Sequence, residues 1–190
     1  VLIQTPVYSE FYDMVELAGR SVLENQFVER DGVWSVDWAD FEEKLQRSDL
    51  FLLCNPHNPL GMVWEAADLK RMVDLCIRYH VPVLSDEIHS DLIFHGKKHT
   101  PTATVSEEAK NYVVTAISGT KTFNLAGLQA SSVVFPNAYM KKKFDREIET
   151  AEEKEKRWKK ARKEAASLAR QCGIKINKKP APKQTEEFDY

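Results

Sequence analysis

The sequence of 190 residues predicts an α/β fold with a mostly parallel sheet covered by helices on both faces. Three observations lead to this prediction. Short apolar segments recur along residues 1–135, segments with helical periodicity lie between them, and proline or glycine follows several of the apolar segments. Apolar strands that alternate with helices are typical of parallel sheets that are buried on both sides.

Five apolar segments are the predicted strands. They are Val1–Ile3, Leu50–Cys54, Val81–Ser85, Tyr112–Ile117 and Ser131–Phe135. Two amphipathic helices are predicted between them, one over Ala66–Tyr79, where apolar residues recur every three or four positions, and one that begins over Asp40–Leu45. The sequence alone does not determine the order of the strands or which of them lie at the sheet edges.

The composition changes from Tyr139 onward. Residues 141–170 contain 19 charged residues in 30 positions, and an apolar stripe with a spacing of three, four and seven continues through them. This pattern predicts a long charged C-terminal helix over residues 139–172. We therefore expect a domain over residues 1–138, then this helix, then a loose tail over residues 173–190.

The composition argues against several classes of protein. No apolar run approaches the ~20 residues of a membrane-spanning helix, and the first residues lack the pattern of a signal peptide. Cys54, Cys76 and Cys172 form neither a disulfide framework nor a spacing typical of metal ligands. We therefore expect no metal site and a cytoplasmic protein.

The charge is distributed unevenly along the chain. Residues 1–140 contain 11 Lys and Arg against 19 Asp and Glu, and residues 141–190 contain 16 against 10, which gives −8 and +6 and the net charge of −2. A basic tail can bind nucleic acid, but this one also contains many acids. We therefore expect neither nucleic acid nor a membrane as a partner.

Four polar clusters follow predicted strands. In chain order they are Thr5–Tyr8, Asn55–Gly61, Asp86–His89 and Ser118–Gly127. Ligands of open α/β sheets bind outside the carboxyl ends of the strands, so the four clusters are candidates for one shared site.

Lys121 and Asp86 are the candidate catalytic residues. A lysine has an ordinary pKa of ~10.4 and is a poor nucleophile at neutral pH. Schiff-base chemistry therefore requires that burial, a nearby cation or a carbonyl partner lowers this pKa. Asp86 follows a buried strand, where a protonated pyridine nitrogen would be a suitable partner. The alternatives are an ordinary loop lysine, and an aspartate that caps a helix or pairs with a structural arginine.

Asn58 and Tyr8 are candidates for binding a cofactor ring. Asn58 lies in a turn bracketed by prolines, where its amide could donate a hydrogen bond to a phenolate oxygen. Tyr8 follows a strand, where its face could stack on the ring. Taken singly, they are equally consistent with an ordinary turn asparagine and a core or surface tyrosine.

In this order, the four clusters resemble the class I/II aminotransferase superfamily, the fold type I pyridoxal-phosphate enzymes. Three features are similar to the cystathionine β-lyase or carbon–sulfur lyase branch. They are the Asn-Pro-His-Asn-Pro-Leu-Gly turn at 55–61, the histidine at position 89, and the Ser-x-x-Lys-Thr-Phe-Asn-Leu-Ala-Gly-Leu run at 118–128. The resemblance covers about residues 1–150 and implies an incomplete large domain of that fold.

The resemblance implies pyridoxal 5'-phosphate as cofactor and a role for each matching residue. It makes Lys121 the Schiff-base lysine, Asp86 the partner of the pyridine nitrogen, Asn58 the donor to the phenolic oxygen, Tyr8 the stacking ring and Ser118 a phosphate-binding hydroxyl. His89 would border the cofactor, with a structural histidine as the alternative.

The sequence departs from the family pattern at several places. Gln129 stands where many relatives have an arginine that grips the phosphate, and Met62 stands where close relatives tend to have arginine. A glycine-rich phosphate-binding turn would precede Val1. No residue of this chain matches the arginine that binds the substrate carboxylate in the C-terminal domain of the family.

The resemblance implies an α,β-elimination on cystathionine or cysteine S-conjugates that gives thiol, pyruvate and ammonia. It also implies an amino-acid substrate and a homodimer in the full-length family. Three alternatives remain at this point: an aminotransferase that uses the same Lys121 and Asp86, a truncated and inactive remnant of the family, and an interaction module built on the charged helix near Trp158.

Overall fold

The computed structural model describes residues 1–94, 96–128 and 130–146, of which Val1–Lys141 belong to one compact unit. Its strands are β1 (Leu2–Thr5), β2 (Leu23–Arg30), β3 (Val33–Val36), β4 (Phe51–Cys54), β5 (Val83–Asp86), β6 (Val113–Ile117) and β7 (Ser132–Val134). Its helices are α1 (Glu10–Leu17), α2 (Trp38–Leu45) and α3 (Ala66–Arg78). Three short 3₁₀ turns lie at Thr102–Thr104, Ala109–Asn111 and Ala126–Leu128.

The seven strands form one sheet in the order β3-β2-β1-β4-β5-β6-β7. The five central strands are parallel, and the edge strands β3 and β7 pair antiparallel with β2 and β6. Asp86 at the end of β5 is in register with Cys54 of β4 and Ala116 of β6. The carboxyl ends of β1, β4, β5 and β6 therefore lie along one edge of the sheet.

Helices cover both faces of the sheet. On one face, α2 and α3 bury Phe41, Leu69 and Met72 against alternate residues of the strands, such as Phe51 and Val83. On the other face, Phe11 of α1 packs with Ile3, Leu52 and Cys54. Because successive strand residues point to opposite faces, a strand buried on both faces is apolar throughout.

The predicted fold class is confirmed, and each of the five predicted strands corresponds to an observed one. Two strands and one helix were not predicted. β2 contains Asn25, a fully buried residue whose amide donates to Asp40 Oδ2 at 2.8 Å, so a polar residue interrupts its apolar pattern. β3 is a short and largely exposed edge strand. α1 buries only Phe11 and Val15 over its 8 residues, too few for a clear helical periodicity.

The predicted C-terminal helix lies mostly outside the described residues. Residues 138–146 are helical, whereas residues 147–172 of the predicted helix and the predicted tail at 173–190 are outside the described part of the chain. The domain boundary at residue 138 therefore stays a prediction. Within the described ranges, no helix is both long and apolar enough to cross a membrane.

Candidate functional site

The sheet brings the four polar clusters to one edge. Tyr8 follows β1, Asn58 follows β4, Asp86 ends β5 and Lys121 follows β6, and these four strands are neighbours with the same direction. The backbone N–H of Tyr8 donates to the carbonyl oxygen of Asn58 at 3.1 Å, which links the first two clusters directly. The clusters are thus neighbours in space although up to about a hundred residues separate them in sequence.

The Cys54 thiol holds the turn that carries Asn58. Its Sγ donates to the carbonyl oxygen of Pro56 and accepts from the backbone N–H of Asn58, both at 3.3 Å. Burial raises the pKa of Cys54 to about 12, so the thiol keeps the proton that it donates. Across the turn, the backbone N–H of His57 donates to the carbonyl oxygen of Met62 at 2.8 Å. These bonds fix the backbone from which the Asn58 side chain extends.

Asn58 lines a cavity of about 590 Å³. His89, Met62, Leu92 and Lys97 are also among its lining residues. The cavity therefore lies between the turn after β4, which carries Asn58, and the loop after β5, which begins directly after Asp86. Met62, noted above as a departure from the family pattern, lies directly on its wall.

Asp86 is a half-buried carboxylate at the end of a central strand. Burial raises its pKa, and the backbone N–H of Ile88, which donates to Oδ1 at 3.1 Å, offsets this only in part. A carboxylate that loses hydration without a full set of partners gains from a nearby cation. Asp86 therefore fits the partner of a protonated ring nitrogen.

His89 lies within electrostatic reach of both predicted catalytic residues. Burial lowers its pKa, the positive charge of Lys121 lowers it further, and the negative charge of Asp86 opposes both effects. The imidazole is therefore neutral at pH 7. Lys121 itself is exposed, so the described residues do not supply the burial that is one of the three ways to activate such a lysine.

Tyr8 is 45% exposed, and its ring meets the Phe11 ring edge-on, with the centroids 6.4 Å apart and the planes at 78°. Phe11 is itself fully buried against Ile3, Leu52 and Cys54, so this contact orients the tyrosine ring from the side of the core. Whether the Tyr8 ring stacks on a cofactor stays a prediction.

The hydroxyl of Ser118 is engaged within its own loop. It donates to the carbonyl oxygen of Ala130 at 2.6 Å and accepts from the backbone N–H of Thr120 at 3.1 Å. A serine hydroxyl has one proton, so Ser118 can donate to a phosphate only after it rotates away from Ala130. Its predicted phosphate contact stays a prediction, and Gln129 lies outside the described residues.

The sequence interpretation missed two residues beside the site. The buried Glu87, which follows Asp86 in sequence, pairs with the half-buried His99, with Oε2 and Nε2 2.8 Å apart. A signal was present, since Glu87 is a second acid after a buried strand, and such a group needs a partner. Within the described ranges, no group of three or more His, Cys, Asp or Glu residues could hold a metal ion.

The model of the aminotransferase class I and II family matches residues 1–170. Cystathionine beta-lyase PatB of Bacillus subtilis is 46% identical over 151 residues, which cover 78% of this chain and 39% of that protein. The chain thus spans about two-fifths of the length of the curated relative.

Solved structures of pyridoxal-phosphate enzymes are also similar to this chain. Cystalysin from Treponema denticola, which contains pyridoxal 5'-phosphate, matches with a TM-score of 0.73 and 32% identity over 75% of this chain and 37% of that one. The pyridoxal-phosphate-bound C-S lyase from Staphylococcus hominis matches with a TM-score of 0.72 and 29% identity over 76% and 37% of the two chains.

Proposed function

Since this chain belongs to the aminotransferase class I and II family, we propose that it forms the pyridoxal-phosphate site of a carbon–sulfur lyase. One observation carries the proposal: the parallel sheet places Asp86, Asn58 and the Lys121 loop at neighbouring strand ends. The likeness to relatives named cystathionine beta-lyase and C-S lyase supports this class of reaction.

Each residue has a task that its chemistry suits. When bound, pyridoxal phosphate draws electron density away from the Cα atom of an amino-acid substrate. The Asp86 carboxylate would keep a proton on the ring nitrogen, and the Asn58 amide would donate to the phenolic oxygen. Lys121 Nζ would hold the aldehyde carbon of the cofactor and would serve as the general base for the Cα proton of the substrate. Tyr8 would supply a stacking ring, and the neutral imidazole of His89 would border the cofactor.

The substrates are cystathionine or other cysteine S-conjugates. With Lys121 Nζ as the base for the Cα proton, the elimination would break the Cβ–S bond, and the sulfur would leave with the electron pair as thiolate. Hydrolysis of the remaining three-carbon unit would give pyruvate and ammonia. The predicted homodimer and cytoplasmic location stay predictions.

Cofactor binding is tested by absorbance. The chain is mixed with pyridoxal phosphate, unbound cofactor is removed, and the spectrum of the protein is recorded before and after borohydride reduction. We expect a yellow band that reduces to a stable adduct, and Lys121→Ala should lose both because it removes the amine that holds the aldehyde carbon. Lys110→Ala, which removes an exposed lysine paired with Glu107, should retain both. A band that survives in Lys121→Ala would contradict the assignment.

The reaction class is tested by product analysis. A lyase releases pyruvate and thiol from cystathionine without a keto-acid acceptor, whereas an aminotransferase requires the acceptor and leaves the Cβ–S bond intact. A keto acid that retains the Cβ–S bond and forms only when an acceptor is added, without release of thiol or pyruvate, would favour the aminotransferase alternative. Cofactor binding without either product would favour the inactive-remnant alternative.

A further inference from the structure

A buried hydrogen-bond network surrounds the carboxylate of Glu87, which is 2% exposed. Its Oε1 accepts from the hydroxyl of Ser85 and the backbone N–H of Thr102, both at 2.9 Å, and its Oε2 lies 2.8 Å from His99 Nε2. A carboxylate this deeply buried is costly unless its oxygens are satisfied. Three partners from two segments of the chain satisfy it here.

These partners keep Glu87 charged. Burial alone would raise its pKa, but the hydrogen bonds from His99, Thr102 and Ser85 outweigh burial, so the pKa is lowered. The network therefore holds the negative charge of Glu87 in a fixed position. It ties the end of β5 to the segment that contains His99 and Thr102.

The peptide group between Asp86 and Glu87 is held from both neighbouring strands. The side-chain amide of Asn55 donates to Thr102 Oγ1 at 3.0 Å, while its backbone N–H donates to the carbonyl oxygen of Asp86 at 2.9 Å. On the other side, the backbone N–H of Glu87 donates to the carbonyl oxygen of Ala116 at 2.8 Å. The peptide group that follows Asp86 is therefore fixed between β4 and β6. One of its bonds comes from Asn55, which is bonded to the buried cluster, and the other is made by Glu87, which belongs to that cluster.

The strand geometry directs Asp86 away from this cluster. Successive side chains of an extended chain point to opposite faces, and the bond between Ser85 and Glu87 shows that these two lie on the same face. The Asp86 carboxylate therefore emerges on the face opposite to the Glu87 anchor. Any tilt of the backbone at the end of β5 would redirect it.

We propose that Glu87 is a positioning residue that fixes the direction of the Asp86 carboxylate toward the cofactor ring. The proposal rests on the proposed function, since it requires Asp86 to face the ring nitrogen.

The test reads the protonation of the ring nitrogen directly. The full chain is loaded with pyridoxal phosphate that carries an isotope label at the ring nitrogen, and the NMR shift of that nitrogen is measured at neutral pH. Asp86→Asn supplies the reference shift for a ring without its carboxylate partner. Glu87→Ala, Glu87→Gln and His99→Ala perturb the anchor. Asn25→Ala removes a different fully buried polar side chain, which bonds to Asp40 instead, as the control for general destabilisation.

We expect Glu87→Ala to move the shift most of the way to the Asp86→Asn value. Glu87→Gln should move it less, because its amide oxygen still accepts from Ser85 and Thr102. Asn25→Ala should leave it unchanged. If Glu87→Ala does not fold, Glu87→Gln and His99→Ala decide the question.

A wild-type shift in the folded Glu87 and His99 variants would overturn the proposal and leave Glu87 a stabilising residue only. If Asp86→Asn itself keeps the wild-type shift, the ring nitrogen does not pair with Asp86. That result would overturn the proposed function, and the positioning role with it.

Discussion

The substitution His57→Leu, in the turn after β4, is expected to make the free energy of unfolding less sensitive to acid. His57 is 1% exposed, and neither of its ring nitrogens makes a hydrogen bond within the described residues. Its ring meets the Phe27 ring edge-on at 4.9 Å. Burial lowers its pKa to about 4, and the nearby backbone of Gln4 offsets only part of the effect.

The sign and size of the effect follow from proton linkage. The ordinary pKa of histidine is ~6.5. As the pH falls below this value, His57 binds a proton in the unfolded chain but not in the folded protein. Stability from His57 is therefore present above pH ~6.5 and is lost toward the folded pKa of about 4. At ~1.36 kcal/mol per pH unit, the loss attributable to His57 at pH 5 is about 2 kcal/mol.

The assay is urea unfolding at pH 7 and pH 5. The free energy of unfolding of His57→Leu should fall by about 2 kcal/mol less between the two pH values than that of the wild type. At pH 7 the variant should be as stable or more stable, since it removes two buried nitrogens without partners. His80→Asn is the control, because it removes an exposed histidine at a positive φ of 57° that asparagine tolerates. An equal fall in wild type and His57→Leu would refute the reasoning.

Two further substitutions test the turn and the core. Cys54→Ala removes a donor and an acceptor from the turn that carries Asn58. The affinity for pyridoxal phosphate should therefore fall about fivefold, which corresponds to ~1 kcal/mol for loosened hydrogen bonds. Unchanged affinity in a titration would show that the thiol does not position Asn58. Phe41→Ala removes a fully buried ring that meets Phe51 edge-on at 5.1 Å and should cost about 4 kcal/mol in urea unfolding. Leu17→Ala, at an 88% exposed position, should cost less than about 0.5 kcal/mol, and a similar cost in both variants would contradict the assignment of the core.

The central sheet could be predicted because its strands are apolar on both faces. β4 and β5 carry little polar alternation, and the amphipathic pattern of α3 is strong enough to predict its length to within one residue. β2 could not be predicted in this way, because it buries Asn25 and pairs with an exposed edge strand. Local pattern fails where a polar side chain is buried by partners that are distant in sequence.

The candidate site shows the same division. Lys121, Asp86 and Asn58 could be selected because each follows a strand and belongs to a recognisable run of residues. The sequence also placed Glu87 beside Asp86, but it did not show that His99, twelve residues later, returns to pair with it. Nor did it show that the Ser118 hydroxyl is already donating to Ala130.

Residue order and apolar pattern alone were sufficient for the fold class, the family and the clusters that make up the site, because these depend on local periodicity and short motifs. The strand order, the antiparallel edges, the thiol that holds the Asn58 turn and the anchor behind Asp86 were decided by tertiary structure. The strand order, the edges and the anchor depend on hydrogen bonds between segments that only the fold brings within about 3 Å of one another. The bonds of the Cys54 thiol are local, but they depend on the conformation of the turn, which the apolar pattern does not specify.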